Sequence, residues 1–329
     1  MKVSFITRHA ISNYGSLLQT IATQAVLQKL GYDSEVVDYI RRDEEYKSIA
    51  KLLLQKNDKW NTSPFKKLVY LAIQSPEYYI SGKKFEAFRK KHLILSPRYT
   101  SLTELKQNPP EADIYLTGSD QVWGPIGSDS LDKAYFMDFL PQGRKAVAYA
   151  GSFGKTAFSA DTLEQYKSML SKYDTLTVRE QSAVQLLQKM GFQGAIQVLD
   201  PTLLITADEW SKLITENIHK NYVLIYQLHS NPEMCAYAKT FAEKVNLPLI
   251  RITPTLHQIL QGGKPKYLPA VSGFLGYIKN AAYMITDSFH GTAFAINFNT
   301  QFVTVVPHET GTRNQSICLL YTSPSPRDS

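Results

Sequence analysis

The chain has 329 residues, 43% hydrophobic and 20% charged, with 17 Gly and 16 Pro, which excludes a miniprotein, a disordered chain, a collagen and a coiled coil and leaves room for roughly two compact domains. Lys and Arg (36) outnumber Asp and Glu (29), and Cys235 and Cys318 are the only cysteines, so a paired-cysteine zinc motif and a disulfide framework are excluded and a reducing, cytoplasmic setting is expected. No run approaches the roughly eighteen apolar residues of a membrane span, and Met1 to Arg8 turns charged too soon for a signal peptide, so a soluble chain is expected.

Lys2 to Thr7 reads as a buried strand, followed by a polar turn through Asn13-Tyr14-Gly15-Ser16. Leu18, Ile21, Ala22, Ala25, Val26 and Leu30 recur with helical period, Ser16 or Asn13 can cap that helix, and Gly31 stands where a helix ends. Ser34 to Tyr39 gives a second strand, so this strand, helix, strand unit implies parallel pairing. Between Arg41 and Thr100 there are 14 Lys and Arg against 6 Asp and Glu, an excess of 14 − 6 = 8. The segment lacks strand alternation and reads as a helical insertion of about 41–100. Its charge suits a solvated helical face or a surface that meets phosphate-bearing or membrane-anchored substrates at the inner membrane face. Nucleic acid is not expected, because no binding module accompanies the charge.

Further strands are predicted at Ala112 to Thr117, Lys145 to Ala150, Thr175 to Val178, Ala195 to Leu199, Tyr222 to Leu228, Leu247 to Ile252, Ala282 to Thr286 and Phe302 to Val306, with helices between them. The pattern implies α/β layers. A boundary is expected between Asp200-Pro201-Thr202 and Asn221, giving domains 1–205 and 206–317. Cys318 to Asp328 reads as a translated sequencing adapter, so 318–329 is expected to be a non-native tail and a native C-terminal segment to be missing.

Several turns could carry chemistry. Thr286-Asp287-Ser288-Phe289-His290-Gly291-Thr292 follows a strand and opens a helix, the place where parallel sheets bind ligands and helix amides meet anions. His290 could transfer a proton there; equally, Asp287 or Ser288 could cap the helix and His290 satisfy the turn. Arg179 after the strand Thr175 to Val178 could clamp a carboxylate or phosphate, or pair with Glu180 as a structural ion pair. Ser119, Asp120 and Gln121 suit hydroxyl recognition, or form a capped turn over a core Trp123. Asn13, Tyr14, Gly15 and Ser16 occupy the same topological place in the first unit. No dinucleotide fingerprint occurs, Tyr149 stands where a phosphate loop before Gly154-Lys155-Thr156 needs its first glycine, and no metal-ligand spacing is found.

Taken together, these blocks resemble the polysaccharide pyruvyl transferase family. The resemblance runs through Asn13 to Gln19, Gly118 to Trp123, Tyr135 to Phe139, Tyr149 to Gly154, Val178-Arg179-Glu180, Leu199 to Leu204, Phe274 to Ala281 and Thr286 to Phe294. It implies two Rossmann-like domains facing across a cleft, similar to the GT-B glycosyltransferases. It also implies transfer of the pyruvyl group of phosphoenolpyruvate to two sugar hydroxyls, giving a cyclic ketal in a bacterial surface polysaccharide or exopolysaccharide. Family members hold the donor with an Arg matching Arg179 and an Arg-x-His turn. Here His290 matches and Ser288 replaces that second Arg.

The expected assignment makes His290 and Arg179 catalytic, Ser288, Gly291 and Thr292 donor-binding, and Asn13 to Ser16 with Ser119, Asp120 and Gln121 acceptor-binding. No metal or cofactor beyond the donor substrate is expected. The rival readings are a glycosyltransferase using a nucleotide sugar and a non-catalytic binding protein on the same scaffold. Alanine at His290 or Arg179 is expected to abolish turnover and leave the melting temperature within a few degrees.

Overall fold

The computed structural model describes residues 1–41, 44–55, 57–126, 130–307 and 312–322. Residues 323–329 of the adapter-like tail lie outside the described residues. By contacts the chain forms two compact units, Met1–Gly151 with Ala160–Leu176, and Ser152–Ser159 with Thr177–Ser329.

One sheet contains β1 (Lys2–Ile6), β2 (Asp33–Tyr39), β3 (Leu95–Tyr99), β4 (Ile114–Thr117), β5 (Lys145–Gly151), β6 (Thr175–Val178) and β7 (Ile196–Gln197) in the order β3-β2-β1-β4-β5-β6-β7. The other contains β8 (Val223–Tyr226), β9 (Leu249–Thr253), β10 (Lys264–Tyr267), β11 (Tyr283–Thr286) and β12 (Gln301–Thr304) in the order β10-β9-β8-β11-β12. β1 pairs in parallel with β2 and β4, and β11 with β8 and β12, so the expected α/β class with two parallel sheets holds. Sheet membership changes after β7, whereas contact grouping changes within β6.

The helices are α1 (Tyr14–Lys29), α2 (Ile49–Gln55), α3 (Pro64–His92), α4 (Leu102–Gln107), α5 (Ala160–Leu170), α6 (Gln181–Lys189), α7 (Ala207–Ser211), α8 (Pro232–Lys244), α9 (Val271–Asn280), α10 (Phe289–Asn297) and α11 (Thr312–Thr322). Parallel strands need crossovers, and these helices supply them.

Two strands escape the sequence pattern, and both are edges. β3 reads Leu-Ser-Pro-Arg-Tyr and β10 reads Lys-Pro-Lys-Tyr, and each closes one side of its sheet. Proline cannot donate to a ladder and charge keeps an edge from recruiting another strand, so these residues suit an edge while hiding the strand. Among the described residues the basic segment is therefore two helices plus a strand rather than helices alone.

In the first unit, α1 begins where the Asn13 side chain accepts the Ser16 amide at 3.1 Å, and Gly31 follows its end at φ +83°, a conformation that costs glycine little. The buried face differs from the apolar periodicity. Leu17, Leu18, Ala22 and Leu27 are buried together with Gln19, Thr20, Thr23 and Gln24, and Leu30 is 67% exposed. Each of these polar side chains makes at least one hydrogen bond: the Gln19 amide nitrogen donates to Thr7 Oγ1 at 2.9 Å, the Gln24 amide donates to Ser34 O at 3.2 Å and its carbonyl oxygen accepts the Ile94 amide at 2.9 Å. This ties α1 to β2 and to the start of β3. Trp123, fully buried, stacks on Phe136 with ring centroids 6.2 Å apart.

In the second unit, Val223, Ile225 and Ile285 pack on Met234, Ala238 and Ala242 of α8. Each fully buried Val, Ile or Met contributes roughly 1.5–3 kcal/mol against exposure. A further cluster joins Phe289 and Ala293 of α10 to Ile317 of α11.

Candidate functional site

Three strand ends of the second unit converge. β6 ends at Val178 and delivers Arg179; β7 is followed by Asp200, which caps a short 3-10 turn, Pro201–Leu203; β11 is followed by Ser288, which caps α10 and delivers His290 in its first turn. In each case the carboxyl end of a parallel strand presents the residue.

Arg179 is 2% exposed. Its Nε donates to Glu180 Oε1 at 3.1 Å and its Nη1 to Asp200 Oδ2 at 2.9 Å. The Phe289 ring lies 4.2 Å from the guanidinium carbon, a cation–π contact that fills one face. Glu180 stands at the cap position of α6 and makes no side-chain cap there, because its carboxylate is turned to Arg179. Asp200 Oδ1 accepts the Thr202 amide at 3.0 Å and hydroxyl at 2.7 Å. Burial alone would raise the Asp200 carboxyl, but His290, Arg179 and the Thr202 hydroxyl together hold it well below the ordinary carboxylate range.

His290 Nε2 lies 3.6 Å from Asp200 Oδ2, beyond hydrogen-bond reach, and among the described residues this buried nitrogen has no hydrogen-bond partner. The imidazole stands edge-on to Phe289, centroids 5.1 Å apart. It is held by packing and by a nearby carboxylate while one nitrogen keeps its bonding capacity.

The turn beneath it explains how the helix start is fixed. Ser288 Oγ accepts the Gly291 amide at 3.2 Å, and Thr286 Oγ1 accepts the Ser288 amide at 3.0 Å. Asp287 does not cap the helix; its carboxylate accepts the Leu228 and His229 amides at 2.7 and 2.8 Å. Thr292 is fully buried, its hydroxyl donating to Ser288 O at 3.1 Å. A Cβ on Gly291 would stand 2.7 Å from Thr286 Oγ1, so the helix can approach the strand only with glycine there. Ser288, Gly291 and Thr292 thus spend their side chains or space on shaping the turn. The first-turn amides remain the groups a helix offers an anion.

The remaining expected residues meet in the first unit. Ser16 Oγ donates to Asp120 Oδ2, and the Gln121 amide donates to Asp120 Oδ1 at 2.8 Å. Thr7 Oγ1 donates to Ser119 O at 2.7 Å, joining the turns after β1 and β4. Asp120 adopts φ +81°, unusual for a residue with a side chain. Asn13 caps α1, Gly15 is buried within its first turn, and Tyr14 is buried against Phe85.

Sequence reasoning missed Asp200 as a site member, although its Asp-Pro-Thr turn signal was visible, and it missed Phe289. It also missed a cluster in the first unit. Asp38 there accepts from Arg98 Nε at 3.1 Å, faces His9 Nε2 at 3.0 Å and lies 4.0 Å from Arg89. A cavity of about 50 Å³ lined by Ala10, Tyr46, Glu86, Arg89 and Arg98 lies beside it. No group of three or more His, Cys, Asp or Glu poised for a metal occurs among the described residues.

Solved structures with a similar fold include the UDP-GlcNAc 2-epimerase of Methanocaldococcus jannaschii in complex with UDP-GlcNAc and UDP. It is 14% identical with a TM-score of 0.50, over 96% of this chain and 86% of that one. Another is S. aureus MnaA in a co-structure with UDP, 12% identical with a TM-score of 0.51, over 99% and 88%. At such identities the likeness is one of fold, and that fold is GT-B-like. No curated protein matches the chain. A family model for polysaccharide pyruvyl transferase matches residues 13–309, a stretch that holds Arg179, Asp200 and His290 alike, and the chain belongs to that family of transferases.

Proposed function

We propose that the protein transfers the pyruvyl group of phosphoenolpyruvate to two hydroxyls of one sugar in a surface polysaccharide or its lipid-linked precursor, without a metal ion. The observation that carries this reading is His290: buried at the start of α10, beside Asp200 and Arg179, with Nε2 free of any hydrogen bond among the described residues. The chemistry balances without a cofactor. One hydroxyl oxygen adds to C2 of the enol while C3 takes a proton; the adduct expels phosphate; the second hydroxyl closes the ketal. Of the two hydroxyl protons, one ends on C3 and the other on phosphate.

His290 supplies the proton to C3 and regains one from a hydroxyl, and Asp200 orients its ring. Arg179 and the first-turn amides of α10 meet the donor's anionic groups. Ser288 in place of a second guanidinium removes one bidentate contact, so donor binding leans more on those amides. Asn13, Ser16, Asp120 and Gln121 are assigned to the acceptor.

The test is phosphate release from phosphoenolpyruvate with candidate sugar acceptors. Acceptor-dependent release that disappears in His290→Ala is expected. Turnover of a nucleotide sugar in place of phosphoenolpyruvate, or full activity in His290→Ala, overturns the reading.

A further inference from the structure

Helix α3 has two unlike sides. Glu77, Ser81, Gly82, Phe85 and Arg89 form its buried stripe at helical spacing. The opposite side is exposed and apolar over its first turns: Phe65 is 74% exposed, Leu68 67%, Ile73 48%, Tyr79 43% and Ile80 47%. Exposed Ala72 and Pro76 fill the gaps between them. At about 100° per residue these positions share an arc of roughly 140°. A monomer seldom leaves so continuous an apolar band in water.

Its border is cationic. Lys66 flanks the first turn, and Lys83, Lys84, Lys90 and Lys91 follow the band toward the helix end, all exposed. Of the two acids on the helix, Glu77 is buried, and Glu86 is engaged by Lys90 at 2.9 Å and by the Tyr46 hydroxyl at 2.9 Å. The helix cannot be a membrane span: among the described residues no helix is long and apolar enough to cross one.

We infer that α3 lies in the plane of an anionic lipid surface, its apolar band among the acyl chains and its lysines at the phosphates. A second copy of the chain is a poorer occupant, because a two-fold interface would set this lysine-bordered band against itself. Trp60, on the turn ahead of α3 and 6.0 Å from the Tyr70 ring, stands at the rim where amphipathic rings sit at headgroup depth. The inference rests on the reading of a lipid-linked acceptor but is tested without turnover, so the two can fail separately.

Co-sedimentation of the whole protein with vesicles of phosphatidylglycerol and phosphatidylcholine, against phosphatidylcholine alone, decides it. Binding to the anionic vesicles only is expected, weakened on the order of tenfold or more at high salt. The variant Phe65→Ser/Leu68→Ser/Ile80→Ser should keep its melting temperature, since these side chains are exposed, and lose most binding. Trp123 and Trp210 are buried, so a blue shift of tryptophan emission on adding anionic vesicles reports Trp60 and should vanish in Trp60→Phe. Equal binding to neutral vesicles, no binding to either, or a dimer that the same apolar substitutions dissociate overturns the inference.

Discussion

Each compact unit buries an aspartate between a histidine and an arginine, and the two clusters differ in how fully their histidines are satisfied. In the first, both ring nitrogens of His9 face acceptors, Thr7 O at 3.1 Å and Asp38 at 3.0 Å, and the side chain is 0% exposed. In the second, His290 Nε2 stops 3.6 Å from Asp200 and makes no hydrogen bond among the described residues, with its side chain 10% exposed. A buried imidazole with both nitrogens satisfied fixes backbone, since every lost contact costs a desolvated group; one with a nitrogen left unsatisfied keeps capacity for a ligand or a proton. Residue identity alone does not mark a site: the same three residue types serve as scaffold in one unit and as candidate chemistry in the other.

The largest effect should come from Arg179→Ala. It strands Glu180 and Asp200 without their cation in a buried setting, a loss of about 3–5 kcal/mol in urea unfolding, along with turnover. Sequence reasoning expects the melting temperature to hold within a few degrees; the burial of Arg179 revises that for this residue. Next, His290→Ala should lower turnover by about 10²–10⁴-fold and leave the urea midpoint close to that of the parent. His9→Ala should do the reverse, costing about 1–3 kcal/mol of stability through the unpaired Asp38 and changing turnover little. If both histidine variants lose turnover alike, the distinction between the clusters is broken. A comparable cost, about 1–3 kcal/mol, is expected for Gly291→Ala, measured by thermal unfolding, because the added methyl meets Thr286.

Much of this was legible in the chain itself. The first strand, helix and strand, the Gly31 stop, and the strand–turn–helix around His290 follow from periodicity and capping chemistry. β3 and β10 were hidden because these edge strands carry prolines and basic residues that pattern reading takes as breakers. The buried face of α1 was hidden because Gln19, Thr20, Thr23 and Gln24 are buried through hydrogen bonds, which hydropathy does not register. His290 and Arg179 could be named from their places after strands. The pairing of Arg179 with Glu180 was one of the alternatives the adjacent residues offered; its second pairing, with Asp200, is a contact 21 residues apart in sequence, and no local pattern carries it.

Acid unfolding offers the finest separation of the two clusters. Burial tends to raise the Asp38 carboxyl, but the hydrogen bond and charge of His9, with Arg89 and Arg98, bring it down to about 2. A carboxyl depressed in the folded chain binds its proton more readily when unfolded. Its contribution is therefore complete above the unfolded value near 4 and is lost as pH falls through about 2. Asp200 is depressed further still, so its share persists to lower pH. Urea midpoints measured across this range should show Asp38→Asn flattening the acid limb between about pH 4 and about 2, and Asp200→Asn flattening it from about 4 downward through the whole range. His9→Ala removes the group that lowers Asp38 most and should move the limb to higher pH. Arg98→Ala should move it less, because that side chain is 39% exposed and its pull is screened by solvent. An acid limb shifted equally by His9→Ala and Arg98→Ala would mean that Asp38 is held by long-range charge rather than by the buried hydrogen bond, and His9 would lose its claim to be the group that fixes it.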